Sequence, residues 1–182
     1  MTRSKRTTPA LPARPSRHSL RLPEYDHSQP GAYFVTLVTH RRKPLFGAVR
    51  NGEMLCNAAG RIVWELWRSL PGRYPGIALD EAVVMPDHFH GIVVIEETPV
   101  AVIHELPQRE EGSDRVLRRR MLLPMVIGYF KMNSAKRINL LLGRPGVPVW
   151  QRNYYERIIR DERAFARIRA YIRSNPENWD DE

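Results

Sequence analysis

The stretch Ala82-Val83-Val84-Met85-Pro86-Asp87-His88-Phe89-His90-Gly91-Ile92-Val93-Val94-Ile95 constrains the fold most, because two apolar runs meet across a Pro-Asp turn beside two imidazoles. Each run has the length and β-branched content of a strand, and the turn predicts a hairpin of Ile77 to Met85 and Phe89 to Ile95. Side chains alternate along a strand, so His88 and His90 share one face and Phe89 takes the other. A core would use the Phe; a metal or a phosphate would use the histidines. Two neutral imidazole nitrogens can take adjacent positions on a divalent cation and leave the others for oxygen ligands or substrate. The same pair also suits surface or interface decoration, so its meaning depends on the rest of the chain.

The chain has 182 residues with 42% hydrophobic content, enough for one soluble globular domain with its own core. A formal net charge of +9 points toward a polyanion, nucleic acid before anionic membrane. No apolar run approaches the roughly 18 residues that span a bilayer. The single cysteine, Cys56, excludes an intramolecular disulfide and any Cys-pair zinc motif, which fits a reducing cytosol. The beginning of the chain lacks the apolar centre of a secretory signal, and Pro9, Pro12, Pro15 and Pro23 oppose the amphipathic helix of a transit peptide. The expected location is cytoplasmic.

Met1 to Pro23 carries six Arg or Lys side chains and no acid, which predicts a flexible basic arm that either contacts phosphates or is simply solvated. One domain is expected over residues 24–179, with a short acidic tail over 180–182. Ala32 to Thr39 reads as a first strand after the Pro30-Gly31 turn signal. His40-Arg41-Arg42-Lys43 follows, a polar loop unless the fold brings it near the histidines, in which case Arg41, Arg42 and Lys43 are candidates for a nucleic-acid groove. Asn57 to Leu70 spaces Ile62, Val63, Leu66, Trp67 and Leu70 as one helical stripe, ended by Pro71-Gly72. Glu96 to Arg120 is charged and irregular and ends on Arg118, Arg119 and Arg120, a second set of phosphate-binding candidates. Leu122 to Leu142 is a helix with Pro124 in its first turn, Trp150 to Ile159 a short extended piece, and Asp161 the N-cap of a last helix that Pro176 stops near Asn175.

On that last helix Tyr171 and Asn175 lie four residues apart and share a face. A phenol can attack phosphorus to give a covalent phosphotyrosine, and an amide oxygen one turn on can be a third ligand for an ion held by His88 and His90. Tyr154 and Tyr155 are competing phenols, and Asn175 has the alternative of capping the helix C-terminus.

Three segments in order, Val84-Met85-Pro86-Asp87-His88-Phe89-His90, Trp150-Gln151-Arg152-Asn153-Tyr154-Tyr155-Glu156 and Tyr171-Ile172-Arg173-Ser174-Asn175-Pro176, resemble the single-tyrosine HUH transposases. The likeness is to the branch associated with repetitive extragenic palindromes, and it extends from about Leu22 to Trp179. It implies a ferredoxin-like α/β (α+β) domain with a central antiparallel sheet, the histidine pair on a central strand and the tyrosine on a C-terminal helix facing it. Members cleave single-stranded DNA beside a hairpin, form a 5′-phosphotyrosine link and leave a 3′-hydroxyl. Carried over, Tyr171 matches the nucleophile and His88 and His90 the metal ligands, with Asn175 third, where insertion-sequence relatives usually carry Gln.

A free phenol is mostly protonated at neutral pH, so the ion should offset charge in the transition state as well as hold DNA. Hard phosphoryl oxygens favour Mg²⁺ or Mn²⁺. The expected partner is single-stranded DNA with hairpin or palindromic structure, bound by a monomer or homodimer. The rival is a basic binder of structured single-stranded DNA or RNA without chemistry. A metal-dependent hydrolase with no covalent intermediate is a third reading.

Overall fold

The computed structural model describes residues 30–96 and 122–179. The basic arm, the cluster Arg118, Arg119 and Arg120, and the acidic tail all lie outside the described residues. Strand β1 (Gly31–Val38) alternates strictly: Tyr33, Val35 and Leu37 enter one apolar cluster, Ala32 and Phe34 another. Such two-sided alternation belongs to a strand covered on both faces.

The first hairpin after β1, β2 (Gly47–Arg50) with β3 (Glu53–Cys56), has no counterpart in the sequence expectations, although its turn signal is present. Asn51 and Gly52 both adopt positive φ, 52° and 75°, as a two-residue type I′ connection requires. Asn57 then caps α1 (Ala58–Arg68), its side chain accepting from the backbone N–H groups of Ala59 and Gly60. Pro71-Gly72 does not end the helical path as expected. The chain coils for one more turn, α2 (Leu70–Arg73), where Pro71 sits at the start and its missing N–H is no loss, and where Leu70 is fully buried.

Strands β4 (Ile77–Val84) and β5 (His88–Ile95) form the hairpin read from sequence. Helix α3 (Leu122–Leu141) follows, then β6 (Tyr155–Ile159) and α4 (Glu162–Ser174). Only the second half of the extended piece at 150–159 is strand; Trp150 makes an isolated bridge to Thr39. Between them Lys131 donates to the carbonyls of Gln151 and Arg152 at 2.7 and 2.8 Å, fixing the approach to β6.

The main sheet runs β4-β5-β1-β6 with every neighbouring pair antiparallel, so β5 and β1 are central. With α1 and α3 as the crossovers, this is the ferredoxin-like α+β arrangement expected. Those two helices cover one face through Trp67, Phe89 and Phe130, whose ring centroids lie 4.7 to 5.4 Å apart. All three are buried, and each contributes on the order of 1.5–3 kcal/mol through its burial. Gly91 makes this packing possible: a Cβ there would stand 2.5 Å from Trp67 Cζ2.

The opposite face of the sheet is covered by α4, which packs Ala164 and Ile172 over Ala32, Phe34, Ile92 and Ile159. Two bidentate or near-bidentate pairs hold it to β4: Arg169 to Asp80 (Nε–Oδ1 2.6 Å) and Arg173 to Glu81 (Nε–Oε1 2.8 Å). Asp80 and Glu81 sit where the β4–β5 register shifts between Leu79 and Ala82. Among the described residues, no helix is long and apolar enough to cross a membrane.

Candidate active site

The strand parity of β5 sends Phe89 into the helical layer and turns His88 and His90 toward α4. Asp161 starts α4 by accepting from the Ala164 N–H at 2.7 Å, and the helix runs to Ser174 with Asn175 as its C-cap. Tyr171 and Asn175, one turn apart, thereby come down over the two imidazoles. His90 Nε2 lies 3.2 Å from the Tyr171 hydroxyl, and His88 Nε2 lies 3.3 Å from Asn175 Oδ1. The imidazole centroids are 4.7 Å apart, and Phe34 stacks on His90 at 5.2 Å while meeting Tyr171 edge-on at 6.1 Å. Tyr171 is half-exposed, at 49%, although its hydroxyl contacts His90.

Both rings are held from behind. His90 Nδ1 meets Thr36 Oγ1 at 2.8 Å, and His88 Nδ1 meets Asp87 Oδ1 at 2.5 Å. Asp87 is buried, and its other oxygen accepts from Arg42 Nη1 at 3.3 Å. A carboxylate can only accept, so the His88 proton sits on Nδ1 and Nε2 presents a lone pair. That lone pair faces the Asn175 carbonyl oxygen, and two acceptors 3.3 Å apart are an arrangement that a shared cation satisfies. Two donors each about 2.1 Å from one ion have about this separation. Burial, and after it the neighbouring His88, lowers the His90 pKa from an ordinary 6.5 to about 3, so the ring is neutral, as a ligand must be. Among the described residues no three His, Cys, Asp or Glu side chains form a ligand group, and the further donor that faces the pair is the Asn175 amide oxygen. The donor set thus fits a cation that also takes oxygen from substrate.

Thr36 and Asp87 are the members that the sequence reading missed. Thr36 becomes relevant only through the register that pairs it with His90 across the sheet. Asp87 stands next to His88 but looks like an ordinary turn residue. The other candidates divide by position. Arg42 reaches the site through Asp87, from a short 3-10 turn (His40–Arg42) in which Arg41 and Arg42 both have left-handed φ, 59° and 52°. Arg41 and Lys43 flank it, exposed. Tyr154 packs against the helical layer, whereas Tyr155 pairs with Thr36 on the histidine face and is 51% exposed.

No family model matches the chain. A solved structure of a REP-associated tyrosine transposase bound to a REP hairpin superposes with a TM-score of 0.50 at 17% identity, over 90% of this chain and 76% of that one, a likeness of fold. An uncharacterized protein of Haemophilus influenzae is 33% identical over 172 residues, 90% of either chain. The protein belongs to the same family as that Haemophilus influenzae protein, and its fold is the transposase-like α+β sheet.

Proposed function

We propose that the protein is a metal-dependent single-stranded DNA endonuclease and strand transferase, transposase-like in its chemistry, acting beside DNA hairpins through a 5′-phosphotyrosine intermediate. The observation that carries this reading is the convergence of the His88 and His90 Nε2 atoms on Asn175 Oδ1 and the Tyr171 hydroxyl. The hairpin-bound transposase of like fold supports the choice of substrate.

In this reading Tyr171 is the nucleophile. Its oxygen bonds to phosphorus as the phenol proton is released to solvent, the bond from phosphorus to the 3′-oxygen breaks, and that oxygen takes a proton from solvent and leaves as a 3′-hydroxyl. The ester energy is kept in the phosphotyrosine, so no nucleoside triphosphate is consumed. His88, His90 and Asn175 would hold Mg²⁺ or Mn²⁺, which supplies charge stabilisation at the phosphoryl oxygens when bound. Asp87 and Thr36 orient the two rings, and Arg42 holds Asp87 in place.

With a hairpin oligonucleotide bearing unpaired flanks and Mn²⁺, the wild type should give a denaturation-resistant protein–DNA adduct. Tyr171→Phe should give none, and Tyr155→Phe should still give it. An adduct that persists in Tyr171→Phe and disappears in Tyr155→Phe would move the nucleophile to β6; cleavage without an adduct in either would mean hydrolysis by water.

A further inference from the structure

The face of the sheet away from Tyr171 is covered by α1, α2 and α3, and the outer surface of that layer is basic. Glu65 is the single acidic side chain in the three helices, against the exposed Arg61, Arg68, Arg73, Lys136 and Arg137. Arg137 is engaged by Glu65 across the two longer helices, Nη2 to Oε2 at 3.0 Å. Arg73 lies over the Tyr129 ring, its guanidinium carbon 4.5 Å from the centroid. Arg61 donates to the Cys56 carbonyl at 3.2 Å, a neutral partner that leaves its charge unmatched. Among the described residues Arg68 and Lys136 have no hydrogen bond or ion pair. On the other face of the sheet the balance differs, since Asp80 and Glu81 engage Arg169 and Arg173.

Arg61, Trp64 and Arg68 stand at i, i+3 and i+7 on α1, which brings all three within an arc of about 60° and sets the ring between two guanidinium groups one turn to either side. Glu65 lies on the flank that reaches α3. The core does not use the Trp64 ring: Val63, Leu66 and Trp67 supply the buried stripe of α1, and Trp64 is 37% exposed. An exposed aromatic flanked by unmatched guanidinium groups takes a base by stacking and its phosphates by charge. A duplex keeps its bases in its own stack, so the ring favours a single strand. A lipid surface would call for an apolar stripe to insert, and Trp64 is the one large apolar side chain exposed on α1.

We infer that the outward face of α1 is a second binding surface for single-stranded nucleic acid, separated from Tyr171 and the histidines by the thickness of the sheet. Bases stack on Trp64, and backbone phosphates meet Arg61 and Arg68. This surface goes beyond the nuclease reading and does not depend on it, because none of its residues touches the candidate active site. A molecule built this way holds one stretch of nucleic acid against its sheet and another on its helices at the same time.

The test mixes the full chain with one equivalent of unlabelled hairpin DNA and follows a fluorescent oligothymidine by anisotropy. The oligothymidine should still bind. Arg61→Gln and Arg68→Gln should each weaken it about fivefold or more and each lower the slope of log affinity against log salt by about 0.7. Trp64→Leu should lose affinity and Trp64→Tyr keep it. Arg163→Gln, exposed on α4 across the sheet, controls for charge alone, and adduct formation with the hairpin should match the wild type in every α1 variant. Displacement of the oligothymidine by the hairpin mole for mole, binding that survives the double arginine variant, or an equal loss in Arg163→Gln overturns the proposal. So does a chain that ignores oligothymidine and sediments with phosphatidylserine vesicles through Arg61 and Arg68, which would assign the face to a membrane. Oligothymidine binding that needs Trp64, with no adduct in the wild type, would sink the nuclease reading and leave this surface standing; an adduct with arginine-independent oligothymidine binding would do the reverse.

Discussion

At the scale of single residues, the site depends on two side chains that stand behind the imidazoles. Thr36 and Asp87 fix the imidazole rings so that both Nε2 atoms face α4. Partners of this kind are worth about 10–100-fold in metal affinity or activity where a metal is bound. Thr36→Val keeps the shape and removes the hydroxyl, so the Mn²⁺ needed for half-maximal cleavage should rise about 10-fold or more, with Asp87→Asn behaving alike. An unchanged metal titration in both would make the rings' partners merely structural. The histidine pair and the Tyr171–Asn175 step were legible in the sequence because strand and helix periods alone put each pair on one face. Thr36 was not, because nothing local says that β1 lies beside β5 in the register that meets His90. The chemical roles themselves came from resemblance, and the adduct experiment is what tests them.

At the scale of elements, β1, β4 and β5 could be read from their β-branched and apolar content between turn signals, and α1 and α4 from apolar stripes and the Asp161 cap. The β2–β3 hairpin has only four residues per strand, half of them exposed, so its sole strong signal was Asn51-Gly52. Glycine carries two opposite messages in the packed layer. Gly91→Ala would drive a methyl into Trp67 and should cost about 1–3 kcal/mol in chemical denaturation, while Gly128→Ala, on a helix with open space around it, should stabilise by about 0.5–1 kcal/mol. Equal effects would mean that Trp67 is free to move away. The α4 clamp brings a pH dependence. The Arg169 guanidinium holds the Asp80 carboxyl below its ordinary 3.8, so the unfolded chain binds this proton more readily than the folded one. The stabilisation is therefore complete above about pH 3.8 and is lost as pH falls through the lowered folded value. Thermal unfolding of wild type and Asp80→Asn should differ at pH 5 and converge as the solution is made more acid; a constant gap would assign the effect to packing.

For the whole molecule, the surplus of +9 is the property that sequence composition stated most directly and that the described residues only partly locate. The exposed arginines of α1 and the turn at His40–Arg42 lie on the described part. If the basic arm adds phosphate contacts, deleting Met1 to Arg17 should lower the salt dependence of hairpin binding while cleavage at low salt continues. An unchanged slope would remove the arm from the DNA path. The fold class was implied by the family resemblance, and the order strand, helix, strand, strand, helix, extended piece, helix read along the chain is compatible with the sheet that forms.

The strict alternation along β5 makes the Met85-Pro86-Asp87 corner a counting device. Removing or adding one residue there would exchange the two faces for everything downstream in the strand, sending an imidazole toward Trp67 and Phe89 toward Tyr171. A change of two residues would keep the parity and disturb only the turn. Natural variation in the length of this corner should therefore come in even steps, and a single-residue deletion should do more harm than any one substitution within it.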